Sequence, residues 1–326
     1  MIQKIFFPII MVATLMLFNR CETMKPANWH PYSKLKPIES FMDLEYPFET
    51  HWVDLPGGER LAYVDQGQGD QTIVFIHGLG SYLPAWKKNI PELSKHFRVI
   101  AIDLPGYGKS SKLPHSGKMT YYAGVVNDFA EALDLGKIVL GGHSMGGQIS
   151  MVTALYYPER VDKLILAAPA GFERFTEGQK QWFRNVMTVR GVMLTSVEDI
   201  ISNLAYNFYE LPDDAEFMIT DRIIMRSAED FEAYSFAVVQ SVNGMVDEAV
   251  IDFLHLIEQP ALIIFGENDN LIPNRFLNPG PTIDVARAGE ELLPNNQLHM
   301  IPGCGHFVQF EASDEFNRIV REFLGK

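Results

Sequence analysis

Five nearly unbroken apolar runs leave this chain few ways to fold. They are TIVFIH (72–77), FRVIAIDL (97–104), KIVLGG (137–142), VDKLILAA (161–168) and ALIIFG (261–266). A strand with one wet face alternates apolar and polar residues. A strand covered on both faces does not, and such runs mark a parallel sheet buried between helices. QLHMI (297–301) is a weaker copy, and HWVDL and RLAYVD around PGGE predict a β-hairpin. Helical spacing fills the gaps. Tyr122, Val125, Val126, Phe129 and Leu133 share one face, as do Phe316, Ile319, Val320, Phe323 and Leu324. Strands alternating with helices predict an α/β fold with a mostly parallel eight-stranded sheet and helices on both faces.

One stretch breaks the alternation. Residues 172–250 hold no buried-strand run, but helical patterns with eleven aromatics and five methionines. They predict an inserted helical lid, with residues 49–171 and 251–326 forming the core. Most of these side chains are expected to be the lid's own core, and some to line an apolar pocket. Trp182, Phe183, Phe208 and Phe236 are the candidates for its wall.

The N-terminus differs from the rest. MIQK precedes IFFPIIMVATLMLF, fourteen uncharged residues. That run is short for a membrane span of about 20 residues and has the layout of a secretory signal. Residues 1–20 are therefore expected to be a signal peptide or an N-terminal anchor, and 21–48 a Pro-rich polar tether. Cys21 directly follows, as in bacterial lipoprotein signals, although Asn19 and Arg20 stand where small residues belong. Lipidation at Cys21 and an uncleaved anchor are the two readings. Both place the chain outside the cytoplasm, in a bacterial envelope or periplasm, with membrane attachment through the N-terminus. The other cysteine is Cys304, so no disulfide framework is expected. A formal charge of −14 with no basic cluster argues against a nucleic-acid partner.

The chemistry centres on Gly142-His143-Ser144-Met145-Gly146, a G-x-S-x-G pattern between an apolar strand and the helical run QISMVTALYYPE. A strand turning sharply into a helix needs neighbours without side chains and presents its serine at the strand's carboxyl end. A serine hydroxyl needs a base. Of nine histidines, His306 in IPGCGHF is the best placed, in a loop after the last strand. His143, next to Ser144 on the turn, is expected to pack under it and is also a candidate for the pocket wall. The base needs a carboxylate to fix its tautomer. Asp269, in GENDN past the strand ALIIF, is preferred over Glu173, which follows LILAAP, and over Glu267 and Asp252. An oxyanion would need two amides, and Leu79 in HGLG and Met145 are the candidates.

HGLG, DLPGYGKS, GHSMGG, FGENDNLIP and IPGCGHF stand in the order and spacing of the α/β-hydrolase family, and the chain resembles its lidded serine hydrolases from about residue 50 to the end. The resemblance implies the α/β-hydrolase fold, a lid between the sixth and seventh strands, Ser144, His306 and Asp269 as a triad, and Leu79 and Met145 as oxyanion donors. One departure is NRFLNPGPTIDVARAGEE, an unusually long stretch after Asp269. Serine at the elbow argues against the relatives that use an aspartate nucleophile.

No cofactor or metal is implied. GYGKS lacks the first glycine of a phosphate loop, where Asp103 stands, and no H-E-x-x-H or paired C-x-x-C occurs. The expected function is hydrolysis of a small-molecule carboxylic ester of moderate size and apolar character. Alternatives on the same triad are a carbon–carbon bond hydrolase and an amidase, the latter motivated by Glu210, Asp213 and Asp214. A non-catalytic ligand-binding module is the reading from another class.

Overall fold

The computed structural model describes residues 32–326, so the N-terminal run and Cys21 lie outside the described residues. The apolar runs become β3 to β7 of one sheet. Its strands are β1 (His51–Asp54), β2 (Arg60–Gln66), β3 (Thr72–Ile76), β4 (Arg98–Ile102), β5 (Ile138–His143), β6 (Val161–Ala167), β7 (Ala261–Gly266) and β8 (Asn296–Ile301). They lie in the order β1-β2-β4-β3-β5-β6-β7-β8. β1 and β2 form the expected hairpin, with Asp54 opposite Arg60. β2 runs antiparallel to β4, and every other neighbouring pair is parallel. Every residue of β5 and β7 is buried. β8 is the edge strand and mostly half-buried, which explains its weaker apolar run.

The helices are α1 (Ile90–Leu93), α2 (Met119–Ala132), α3 (Met145–Tyr156), α4 (Glu177–Val186), α5 (Val189–Met193), α6 (Val197–Tyr206), α7 (Glu216–Met225), α8 (Phe231–Asp247), α9 (Thr282–Leu292), α10 (Val308–Glu311) and α11 (Ser313–Phe323). They cover both faces of the sheet. α3 is buried from Met145 through Ala154. α11 buries Phe316, Ile319 and Val320, and Leu324 at its end is buried too, four of the five residues its spacing picks out. Helices α4 to α8 form the insertion between β6 and β7. α8 is its buried base, whereas α4 and α5 bury no residue. The long stretch after Asp269 is a loop followed by α9. Among the described residues no helix is long and apolar enough to cross a membrane.

Candidate active site

Ser144 sits where β5 turns into α3, with φ 53° and ψ −116°. A non-glycine residue there is strained and must be held. Its N–H donates to Ala167 O at 3.0 Å, and its carbonyl accepts from Ala170 N at 3.0 Å and Gly147 N at 2.9 Å. The flanking glycines are steric necessities. A Cβ on Gly142 would stand 2.1 Å from Gly146 O, and one on Gly146 would stand 2.4 Å from Ile76 O.

His306 lies in the turn between β8 and α10, and Asp269 just past β7. His306 Nδ1 is 2.7 Å from Asp269 Oδ2. The other carboxylate oxygen accepts from Leu271 N at 2.7 Å and Ile272 N at 3.0 Å. Both residues are only 3% exposed. A carboxylate so anchored keeps the imidazole proton on Nδ1 and leaves Nε2 to accept one. The His306 backbone is clamped as well. Its N–H donates to Asn207 O at 2.8 Å, and its carbonyl accepts from His143 Nε2 at 3.0 Å. Burial pushes the His143 imidazole well below the usual histidine range, so it acts there as a neutral donor.

Glu173 does not reach His306 Nδ1. Its Oε1 accepts from Asn274 N at 2.9 Å and Asn278 Nδ2 at 3.0 Å, and burial raises its pKa. Of the two carboxylates at adjoining strand ends, Asp269 makes the bond to histidine.

The Leu79 amide is positioned by His77, the first residue of HGLG. His77 is fully buried and its pKa is lowered by burial to about 4. Nδ1 lies 2.8 Å from Gly78 O and must donate, while Nε2 accepts from Leu104 N at 3.1 Å. Gly78 C=O and Leu79 N–H belong to one planar peptide and point oppositely. By gripping the carbonyl, His77 turns the Leu79 amide away from itself. Neither Leu79 N–H nor Met145 N–H has a protein acceptor among the described residues. DLPGYGKS serves the same frame. Asp103 is buried and accepts from Leu83 N at 2.7 Å, Lys109 N at 2.8 Å and Tyr46 Oη at 2.6 Å.

Ser144, His306, Leu79 and His143 meet at one cavity of about 310 Å³. Its apolar wall comes from Phe175, Phe183 and a stripe on α8 at Val242, Met245 and Val246. Two of the expected wall residues are there, His143 and Phe183. The other three are not. Trp182 is 42% exposed and only touches Phe183 edge-on, because consecutive helix residues are turned by about 100°. Phe208 is buried behind the wall, stacked on Phe307 at 5.1 Å. Phe236 faces outward beside Lys112 and Glu232, off the inward stripe of α8. The acidic trio motivating an amidase also lies elsewhere: Asp214 pairs with Lys88 at 2.8 Å, and neither it nor Glu210 nor Asp213 lines this cavity. Gln148, Asn203 and Asn207 line it without having been singled out.

A second chamber of about 370 Å³ shares Leu79, Asn203, Asn207 and Phe307 with the first and carries Arg222. A wider groove of about 640 Å³ runs behind Asp269 and is lined by neither Ser144 nor His306.

The model of the alpha/beta hydrolase fold matches residues 71–313. The chain belongs to the alpha/beta hydrolase fold family. It is 29% identical over 274 residues to a 2-hydroxy-6-oxononadienedioate/2-hydroxy-6-oxononatrienedioate hydrolase of Escherichia coli O81 (strain ED1a), covering 82% of this chain and 91% of that one. A probable hydrolytic enzyme from Pseudomonas aeruginosa PAO1 superposes with a TM-score of 0.80 at 23% identity, over 89% of this chain and 99% of that one. A thermophilic esterase from Thermogutta terrifontis gives 0.69 at 25% identity, over 85% and 98%. This alpha/beta hydrolase is thus similar both to a hydrolase of dienedioates and to an esterase.

Proposed function

We propose that this hydrolase cleaves a carboxylic ester of moderate size and apolar character through an acyl-enzyme at Ser144. The observation that carries the reading is one cavity where a strained serine, a histidine bonded to a buried aspartate and the unengaged Leu79 amide converge. His306 takes the Ser144 proton as Oγ attacks the carbonyl, and the Leu79 and Met145 amides hold the oxyanion. The alcohol leaves with the proton from His306, and water reverses the roles. Helices α4 to α8 act as the lid and give the acyl group its apolar wall. A rate series on p-nitrophenyl esters from acetate to palmitate, with Ser144→Ala as control, tests it. A serine-dependent rate peaking at a middle chain length is expected. No turnover of any ester overturns it.

A carbon–carbon bond hydrolase is the second reading. It is favoured by the dienedioate hydrolase relative and by Arg222, which has no carboxylate partner among the described residues and lines the adjoining chamber. A dienedioate carries two carboxylates, and Arg222 would meet one. Glu173 on the reaction cavity opposes such a dianion. Turnover of a 2-hydroxy-6-oxo-dienedioate faster than of any ester would establish this reading. Export and attachment at Cys21 complete the proposal, supported by the apolar N-terminal run. Loss of membrane-fraction protein in Cys21→Ser is the expected result.

A further inference from the structure

We infer that Glu173 and Gln148 form a hydrogen-bond-accepting subsite that selects substrates bearing an amine or hydroxyl group. The inference rests on the ester reading and adds a substrate class to it.

Gln148 is 1% exposed and stands one helical turn beyond Ser144 on α3. Its Nε2 donates to Met245 O at 3.0 Å and Glu248 O at 2.9 Å. Two carbonyl acceptors consume both amide hydrogens and decide which end of the amide is nitrogen. The carbonyl Oε1 is left over, takes no donor among the described residues, and belongs to a side chain on the cavity wall. That oxygen is free to accept from a ligand donor.

Glu173 repeats the pattern. Both its protein donors, Asn274 N and Asn278 Nδ2, go to Oε1. Oε2 takes none among the described residues. If the carboxylate served only to hold the 274–278 loop, Oε1 alone would suffice. The two acceptors come from adjoining wall. The Gln148 stem packs on Gly171, two residues before Glu173, with Cγ 3.1 Å from where a Cβ on Gly171 would stand. Among the described residues no lysine or arginine lines this cavity, and Glu173 is its one carboxylate. Such a wall attracts N–H and O–H donors, favours an ammonium by charge, and repels an anion. The apolar stripe of α8 takes the alkyl remainder.

Boronic acids bind an activated serine whatever bond the enzyme cleaves, so they separate this subsite from the ester reading. Calorimetric affinities are compared for chain-length-matched alkyl, hydroxyalkyl, aminoalkyl and carboxyalkyl boronic acids, on the full chain and on Glu173→Gln. The wild type is expected to prefer the aminoalkyl over the alkyl compound by about tenfold or more, the hydroxyalkyl by less, and to bind the carboxyalkyl compound weakest. In Glu173→Gln the aminoalkyl preference should fall by about tenfold and the carboxyalkyl compound should gain. Equal affinity for all four in the wild type overturns the subsite. So does a Glu173→Gln that weakens all four together with the preferences kept, which is the signature of a loop-holding role. Failure of every boronic acid to bind overturns it as well. Discrimination among boronic acids without turnover of any ester supports the subsite and overturns the ester reading alone.

Discussion

β5 and α4 supply neighbouring parts of the same cavity wall under opposite rules. Every residue of β5 is buried, while α4 buries none, yet it sends Phe183 inward. The groups proposed to react come from the first kind of element. Leu79 follows β3, Ser144 follows β5, Asp269 follows β7 and His306 follows β8. Their positions are set by backbone in a packed sheet. The insertion supplies side chains that shape the cavity without touching the His306–Asp269 bond. Asn207 O bridges the division, holding the His306 backbone from the insertion side. Chemistry should therefore break through the sheet, and selectivity should bend through the helices.

The sharpest break is Ser144→Ala, expected to lower ester hydrolysis by about 10⁶-fold while the melting temperature stays near wild type. Melting well below wild type would mean the serine is structural. Next, Asp269→Asn should cost about 10³ to 10⁴-fold in kcat by presenting the wrong tautomer. Glu173→Gln should cost less than about tenfold on a plain alkyl ester. If those two results exchange, the acid has been misassigned.

His77 tests the frame rather than the reacting groups. His77→Leu frees the Gly78–Leu79 peptide and should cost about 10² to 10³-fold in kcat, the usual effect of losing one oxyanion donor. His77→Gln, which can still donate to Gly78 O, should recover most of it. His77 also predicts a pH effect. Its folded pKa of about 4 lies below the ordinary value of 6.5. Between those values the unfolded chain binds the extra proton, so stability falls as pH drops from 6.5 to 4. The loss is on the order of 3 kcal/mol. A melting curve flat over that range in wild type would contradict a buried neutral His77, and His77→Gln should show a shallower fall.

The insertion carries the smaller effects. Phe183→Ala should shift the optimum ester to longer acyl chains, with acetate turnover changed less than about fivefold; an unchanged chain-length profile would remove α4 from the wall. Trp182→Ala, one residue away but facing water, should alter stability by no more than about 0.5 kcal/mol and leave that profile alone.

The sheet and the elbow were legible because they obey short-range rules. A strand buried on both faces must be apolar throughout, and the turn at Ser144 admits only glycine at 142 and 146. The wall of the cavity was harder to read. Trp182, Phe208 and Phe236 look like Phe183 in composition, and only the rotation of each helix separates them. Val242, Met245 and Val246 carry a helical stripe in the sequence, but the same stripe serves any buried helix. His77 opens the HGLG motif, but its role and that of Gln148 could not be read there, since they consist of bonds to Gly78, Leu104, Met245 and Glu248 that exist only after folding.

The amino-acid order alone determined the parallel sheet, the hairpin, the helical insertion and the strained serine between strand and helix. These follow from the periodicity of burial and from steric limits within a few residues. Tertiary structure decided that Asp269 rather than Glu173 reaches His306, that His143 and Asn207 clamp the His306 backbone, and that Phe183 lines the cavity while Trp182 meets water. Each of these is a contact between segments far apart in the chain or a matter of helix rotation, and packing decides both.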